Sequence, residues 1–322
     1  MGTNIIVHLS REVIMKIIIK ALNAGALLWM SANIGLQLSL QKIASTWLSY
    51  LCWFLTWPLR LVLNLPFQVV VFLNYCKAYS LFKRHNSLIV EGQENLPSGV
   101  GTLYLSNHQA WTDPWAVGLA IMSIPSLITQ PTIMHWTVAE DKNYGQTLLG
   151  PYLRFSKMTT INRPDNNSFA AAKRAMLELR KHLVVWRKLL TISNLLIYFE
   201  GTRSRQDNTV VRKCKKGVTK LIFESMLSNN GQSVIKQIVP IRLVDFYNIQ
   251  PAEKDKSTIK GAKLKLKDIT QGQTCRIIIG QPISREQLIK ELNYSPQMHY
   301  IDVASKLGDY IINRVEQLYF QN

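Results

Sequence analysis

The hydrophobic pattern changes character twice along the 322 residues. Residues 1–20 mix charged and apolar positions (Arg11, Glu12, Lys16, Lys20), and from Ala21 to Leu40 there is no charged residue. Twenty such residues make about 30 Å of helix, enough to cross a hydrocarbon core. Asn23, Ser31, Asn33, Gln37 and Ser39 dilute the run, so it reads equally as a spanning helix or as a re-entrant or interfacial one. It lacks the small-residue cleavage site that would follow the apolar core of a signal peptide. Beyond Lys42, Trp47 to Tyr75 is more strongly apolar and aromatic, with Arg60 its only charge. Pro58 and Pro66 exclude one straight helix there. Aromatics near its ends and a basic exit (Lys77, Lys83, Arg84) fit a membrane-embedded segment with the following domain on the cytoplasmic side. A buried helix pair in a soluble core is the alternative.

From Ser87 short β-rich runs alternate with helical ones. Strands are predicted at Leu88-Ile89-Val90, Thr102–Leu105, Lys157–Asn162, Asn194–Phe199 and Ile238–Val244 (interrupted by Pro240), with Arg276–Ile279 last. Helical periodicity covers Pro114 to Ile124, Phe169 to Lys188, Gly217 to Leu227, and Ser284 to the end. The tail Glu316-Gln317-Leu318-Tyr319-Phe320-Gln321 looks like a protease-tag remnant. This alternation predicts an α/β domain over 85–322, a mixed, largely parallel sheet flanked by helices. An apolar, helical, membrane-associated region over 1–84 precedes it. No internal repeat is visible.

Composition is globular, with 47% hydrophobic and only 18% charged residues. A net charge of +18 suits either nucleic acid or anionic lipid. Its pairing with an apolar N-terminal region favours an anionic membrane surface and argues against nucleic acid. Cys52, Cys76, Cys214 and Cys275 are scattered, which excludes a disulfide scaffold and a structural zinc site and fits a reducing compartment.

In open α/β sheets the loops after the strands' carboxyl ends build the site, which selects 106–113, 162–165 and 200–205. The first holds His108 and Asp113. Five residues apart on a continuous helix lie about 140° out of phase, so the two meet only in a turn or helix start. Asp113 before Pro114 suits such a start. Asp113 is then either a simple N-cap beside a solvated His108, or the acceptor that fixes one imidazole nitrogen while the other takes a proton. The loop Glu200-Gly201-Thr202-Arg203-Ser204-Arg205 combines an acid, a glycine and two guanidinium groups directly after a strand. Arginine grips phosphate bidentately and Gly-Thr supplies backbone and hydroxyl donors. Asn162-Arg163 adds another guanidinium at a strand end. Read as metal ligands, His108 and Asp113 lack companions, because His8, His85, His135, His182 and His299 show no metal spacing. A non-catalytic, basic membrane-surface protein would account for the charge and the apolar start, but not for these loops together.

On these residues the chain resembles the glycerolipid acyltransferase family, most closely the bacterial 1-acylglycerol-3-phosphate (lysophosphatidic acid) acyltransferases. That family's Asn-His-four-residues-Asp motif is matched by Asn107-His108…Asp113. Its strand ending in arginine is matched by Thr160-Ile161-Asn162-Arg163. Its Phe-Pro-Glu-Gly-Thr-Arg-Ser motif is matched by Phe199-Glu200-Gly201-Thr202-Arg203-Ser204 without the proline, and its Val-Pro-Ile motif by Val239-Pro240-Ile241. The resemblance covers roughly 85–245. Ala110 stands where many members have Ser, and Asn162 where many have Asp.

The resemblance implies acyl transfer from a thioester, acyl-CoA or acyl carrier protein, to the free hydroxyl of a lysophospholipid, at the cytoplasmic face of the inner membrane. His108 is then the base and Asp113 its orienting partner. Asn107, Arg163, Glu200, Gly201, Thr202 and Arg203 are the acceptor-binding residues. No metal, cofactor or acylated side chain is expected. The basic run Arg212-Lys213-Lys215-Lys216 either holds headgroups or donor phosphates or is a solvated turn. The lysine-rich stretch 250–273 has no assigned role.

Overall fold

The computed structural model describes residues 75–99, 101–110, 112–122, 193–201, 203, 213–228, 235–249 and 270–320, the backbone of 134–140 and 158–161, and a few isolated positions before residue 75. The chain divides into two compact units, Met1–Phe72 with Ala139–Glu178, and Leu73–Val138 with Leu179–Asn322. In the first, Met158–Ile161 is a strand, β4. The apolar region over 21–74 and the helix expected over 169–188 lie largely or wholly outside the described residues. Among the described residues no helix is long and apolar enough to cross a membrane.

The second unit is built on a mixed sheet of β1 (Ser87–Glu91), β2 (Thr102–Ser106), β3 (Met134–Glu140), β5 (Ser193–Tyr198), β6 (Gln237–Val244) and β7 (Thr274–Ile279), in the order β1-β7-β6-β2-β5-β3. The pairs β1/β7, β2/β5, β2/β6 and β3/β5 are parallel, and β6/β7 is antiparallel. All five residues of β2 are buried, because helices cover both faces of the sheet and leave no polar side. Tyr104, Leu196, Tyr198, Val239, Ile241 and Leu243 pack on one face with Leu81 and Phe82 and with Ala116, Val117 and Ala120 of helix α1 (Asp113–Ile121). On the other face the C-terminal helix α5 (Tyr300–Phe320) packs on β6 and β7 and against α2 (Lys216–Ile222). A short helix, α3 (Phe246–Ile249), follows β6.

Four expectations are corrected here. Pro240 does not interrupt β6, which is continuous from Gln237 to Val244. Its missing N–H falls where the antiparallel partner changes from β8 (Ile283–Ser284), paired with Gln237 and Ile238, to β7, which begins at Ile241. At that junction Pro240 accepts from the Gly280 N–H at 2.9 Å. A Cβ on Gly280 would come within 2.8 Å of the Pro240 ring, so the glycine makes room for the proline. The helical end is two helices, α4 (Arg285–Leu292) and α5, because Asn293 adopts a left-handed C-cap at φ 53° and Pro296 follows. Strand β8 precedes them, so β7 is not the last strand. The tail taken for a tag remnant is packed: Leu318 is buried with Val244 and Ile278, and the Tyr319 ring lies 5.7 Å from the Arg242 guanidinium.

For the site, the decisive feature is register. Ser106, the last residue of β2, faces Tyr198 on β5 and Ile241 on β6. His108 and Glu200 therefore leave the sheet side by side, each two residues beyond a paired position.

Candidate active site

The loop after β2 turns away from the sheet at Asn107, and the buried Asn107 side chain replaces the lost strand. Its amide donates to the Leu243 carbonyl at 3.0 Å and accepts from the Leu243 N–H at 2.7 Å. Continuing the ladder would set residue 108 against 243. The carboxamide makes those two bonds instead, and the His108 backbone is released to donate its N–H to Glu200 Oε2 at 2.7 Å. Gln109 supports the same turn by accepting from the Phe246 N–H at 2.9 Å. Asn107, expected among the substrate-binding residues, is 2% exposed with both amide atoms bonded to β6, where it shapes the loop.

His108 and Asp113 do meet. Nδ1 lies 2.8 Å from Asp113 Oδ2. The same oxygen accepts from the N–H groups of Gln109 (2.6 Å) and Ala110 (2.9 Å). Asp113 is the first residue of α1, with Thr112 at the N-cap and Pro114 next. Its carboxylate thus gathers the turn ahead of the helix rather than capping the helix, and the five-residue spacing closes because 107–110 is not helical. Asp113 is fully buried, whereas the His108 side chain keeps 18% of its surface exposed. An imidazole bound through Nδ1 to a buried carboxylate presents Nε2 as its other, proton-accepting nitrogen.

The loop after β5 is a tight turn. The Gly201 N–H donates to the Tyr198 carbonyl at 2.9 Å, and Gly201 sits at φ 65°. A Cβ there would lie 2.9 Å from Lys215 Cγ, so glycine is favoured both by its backbone and by the lysine stem crossing it. The Lys215 N–H donates to the Phe199 carbonyl at 2.9 Å, which carries part of the basic run onto this loop. Aligned without a gap, Tyr198-Phe199-Glu200 stands where the family motif has Phe-Pro-Glu, so no residue is missing. Phe199 takes the proline's place, and its N–H donates to the Ser106 carbonyl at 3.2 Å, a bond proline has no N–H to make.

Sequence reasoning overlooked two residues here. Tyr198 stacks on His108, with ring centroids 4.1 Å apart and 19° between planes. Burial, and then the charge of Asp113, push its phenol well above the usual range. Arg242, 1% exposed on β6, is the largest fully buried side chain among the described residues. Burial lowers its pKa, while Glu200, Glu316 and Tyr319 act in the opposite sense and favour the charge. A lone arginine inside Val-Pro-Ile-Arg-Leu-Val was the available signal. Arg203 is half-buried. Arg163 and Thr202 lie outside the described residues. Among the described residues no group of three or more His, Cys, Asp or Glu is placed to hold a metal ion.

With this geometry in place, comparison with known proteins is informative. The acyltransferase family model matches residues 87–244. Residues 87–244 form an acyltransferase-family domain. The matched span contains the His108–Asp113 pair, the Glu200-Gly201 turn and Val239-Pro240-Ile241, so the site lies within it. No curated protein matches the acyltransferase over its sequence. Among solved structures it is similar to the 1-acyl-sn-glycerophosphate (LPA) acyltransferase PlsC from Thermotoga maritima, at 15% identity and a TM-score of 0.47, over 94% of this chain and 98% of that one.

Proposed function

We propose that this acyltransferase moves a fatty acyl group from a thioester donor, acyl-CoA or acyl carrier protein, to the free hydroxyl of 1-acylglycerol 3-phosphate, giving phosphatidic acid. The reading rests on one observation above all: His108 Nδ1 is held 2.8 Å from the buried Asp113 carboxylate, on a loop hydrogen-bonded to Glu200. An alcohol is almost fully protonated at neutral pH, and general-base assistance typically contributes about 10²–10⁴ in rate. His108 Nε2 takes the hydroxyl proton as the oxygen attacks the thioester carbonyl. Asp113 holds the tautomer and offsets the charge on the imidazolium. The tetrahedral oxyanion collapses, the C–S bond breaks, and the imidazolium returns the proton to the departing thiolate. No side chain is acylated, and no cofactor or metal takes part.

Gly201, Thr202 and Arg203 are assigned to the acceptor's phosphate. Lys215, lying over Gly201, adds positive charge beside them. Glu200 acts on the His108 side, through the loop backbone, rather than on the ligand. The acceptor is a membrane lipid, so the enzyme works at the anionic cytoplasmic face of the inner membrane, held there by residues 1–84.

The test is an acceptor panel (1-acylglycerol 3-phosphate, glycerol 3-phosphate, other lysophospholipids) with one labelled acyl-CoA and one acyl-carrier-protein donor, run on the detergent-solubilised full chain. Transfer to the phosphate-bearing lysolipid is expected, and His108→Ala should abolish it. Arg203→Ala should mainly raise the acceptor KM. Wild-type activity in His108→Ala would overturn the mechanism. Equal turnover of acceptors with and without a phosphate monoester would overturn the substrate assignment.

A further inference from the structure

We infer that Tyr198 is a positioning residue for His108, its ring serving as the platform that holds the imidazole plane for proton transfer. The inference rests on the proposed base role of His108 and extends it to a residue on a different strand.

The Nδ1–Asp113 contact acts in the plane of the ring. A surface parallel to the ring restrains it in the perpendicular direction. Tyr198 provides that surface at 4.1 Å and 19°. The platform itself is firmly held: Tyr198 ends β5, pairs with Ser106 in register, packs in the core with Leu196 and Ile241, and is 7% exposed. The Gly201 N–H locks its carbonyl as well.

The hydroxyl has a different standing from the ring. Tyr198 OH is buried and has no hydrogen-bond partner among the described residues. Its phenol stays neutral at any assay pH because burial, followed by the Asp113 charge, holds the pKa well above the usual range. The ring face is therefore the part that acts, and removing the hydroxyl leaves the platform intact. Aromatic pairing of this kind biases a population by roughly 2- to 13-fold. With proton transfer dependent on alignment of the reacting atoms, the loss belongs in kcat.

The experiment compares Tyr198→Leu, Tyr198→Met and Tyr198→Phe in the full chain, with kcat and acceptor KM measured for each and Tm as the folding control. The leucine and methionine variants are expected to lose about tenfold in kcat with KM within about twofold. Tyr198→Phe is expected to bring the rate back to within about twofold of the parent. A second readout, independent of turnover, is the NMR shift of the His108 ring protons, assigned by their absence in His108→Gln. A ring stacked at 4.1 Å displaces them upfield in the parent and in Tyr198→Phe, and the displacement should vanish in the aliphatic variants. A folded Tyr198→Leu or Tyr198→Met with parental kcat would overturn the inference. So would a Tyr198→Phe as impaired as the aliphatic variants, or a parent without the upfield displacement, which needs no folded variant. If no acceptor is acylated at all, the proposed function fails while the NMR comparison still decides whether the platform exists.

Discussion

Asn107 separates two accounts of the loop that carries His108. If its amide replaces backbone pairing, as the bonds to Leu243 indicate, then Asn107→Ala strips partners from two groups at once. Leu243 is fully buried, so neither its N–H nor its carbonyl can turn to solvent. A buried polar group left unsatisfied costs about 1–3 kcal/mol, which gives about 2–6 kcal/mol for the pair. That is a large share of the roughly 5–15 kcal/mol by which domains are stable. Urea unfolding of the variant should report this loss, and hydrogen exchange should report it locally as reduced protection of the Leu243 amide. Because the His108 N–H contact to Glu200 depends on the same turn, kcat should fall while the acceptor KM holds near the parental value. The opposite result is equally clear. A stability change under about 0.5 kcal/mol, as for an ordinary surface substitution, together with a raised acceptor KM, would return Asn107 to the substrate and refute the structural role.

Two further outcomes follow from backbone and burial. Gly92 sits at φ 73° with the position of a Cβ only 2.1 Å from the Ile279 carbonyl oxygen, so Gly92→Ala meets backbone rather than a flexible side chain. Left-handed strain alone costs about 1–3 kcal/mol, and the added collision should appear as a larger loss in thermal unfolding than Gly99→Ala produces, where nothing lies within 4 Å. Burial pushes the thiols of Cys214 and Cys275 from 9.0 to about 12. Iodoacetamide at pH 8 should therefore label the exposed Cys76 in the native protein and reach those two only after unfolding, as peptide mass spectrometry would show. The sign follows from the raised folded value. Their contribution to stability is complete below 9.0 and is lost as pH rises from there toward about 12, so alkaline unfolding should ease in that window and less so in Cys214→Ala.

The order of chemical groups was legible in the sequence because each sits at a strand end marked by its own punctuation. Leu103-Tyr104-Leu105 running into Asn107-His108 announced a strand and its loop, Asp113-Pro114 announced a helix start, and Gly201 announced a turn. The condition that His108 and Asp113 meet only outside a helix also followed from spacing, and 107–110 is indeed non-helical. What the chain order does not contain is the pairing register. Only the tertiary structure sets Ser106 opposite both Tyr198 and Ile241, and from that alignment come the His108–Glu200 bond, the Tyr198 platform and the pairing of Asn107 with Leu243. The same holds for Pro240, which local preference reads as a break. It is tolerated in a central strand because its missing donor coincides with a change of partner strand 40 residues later in the chain. Local propensity acts over a few residues. The roles of Asn107, Tyr198 and Arg242 depend on neighbours brought together across about 80 to 140 positions, and those contacts exist only once the sheet has closed.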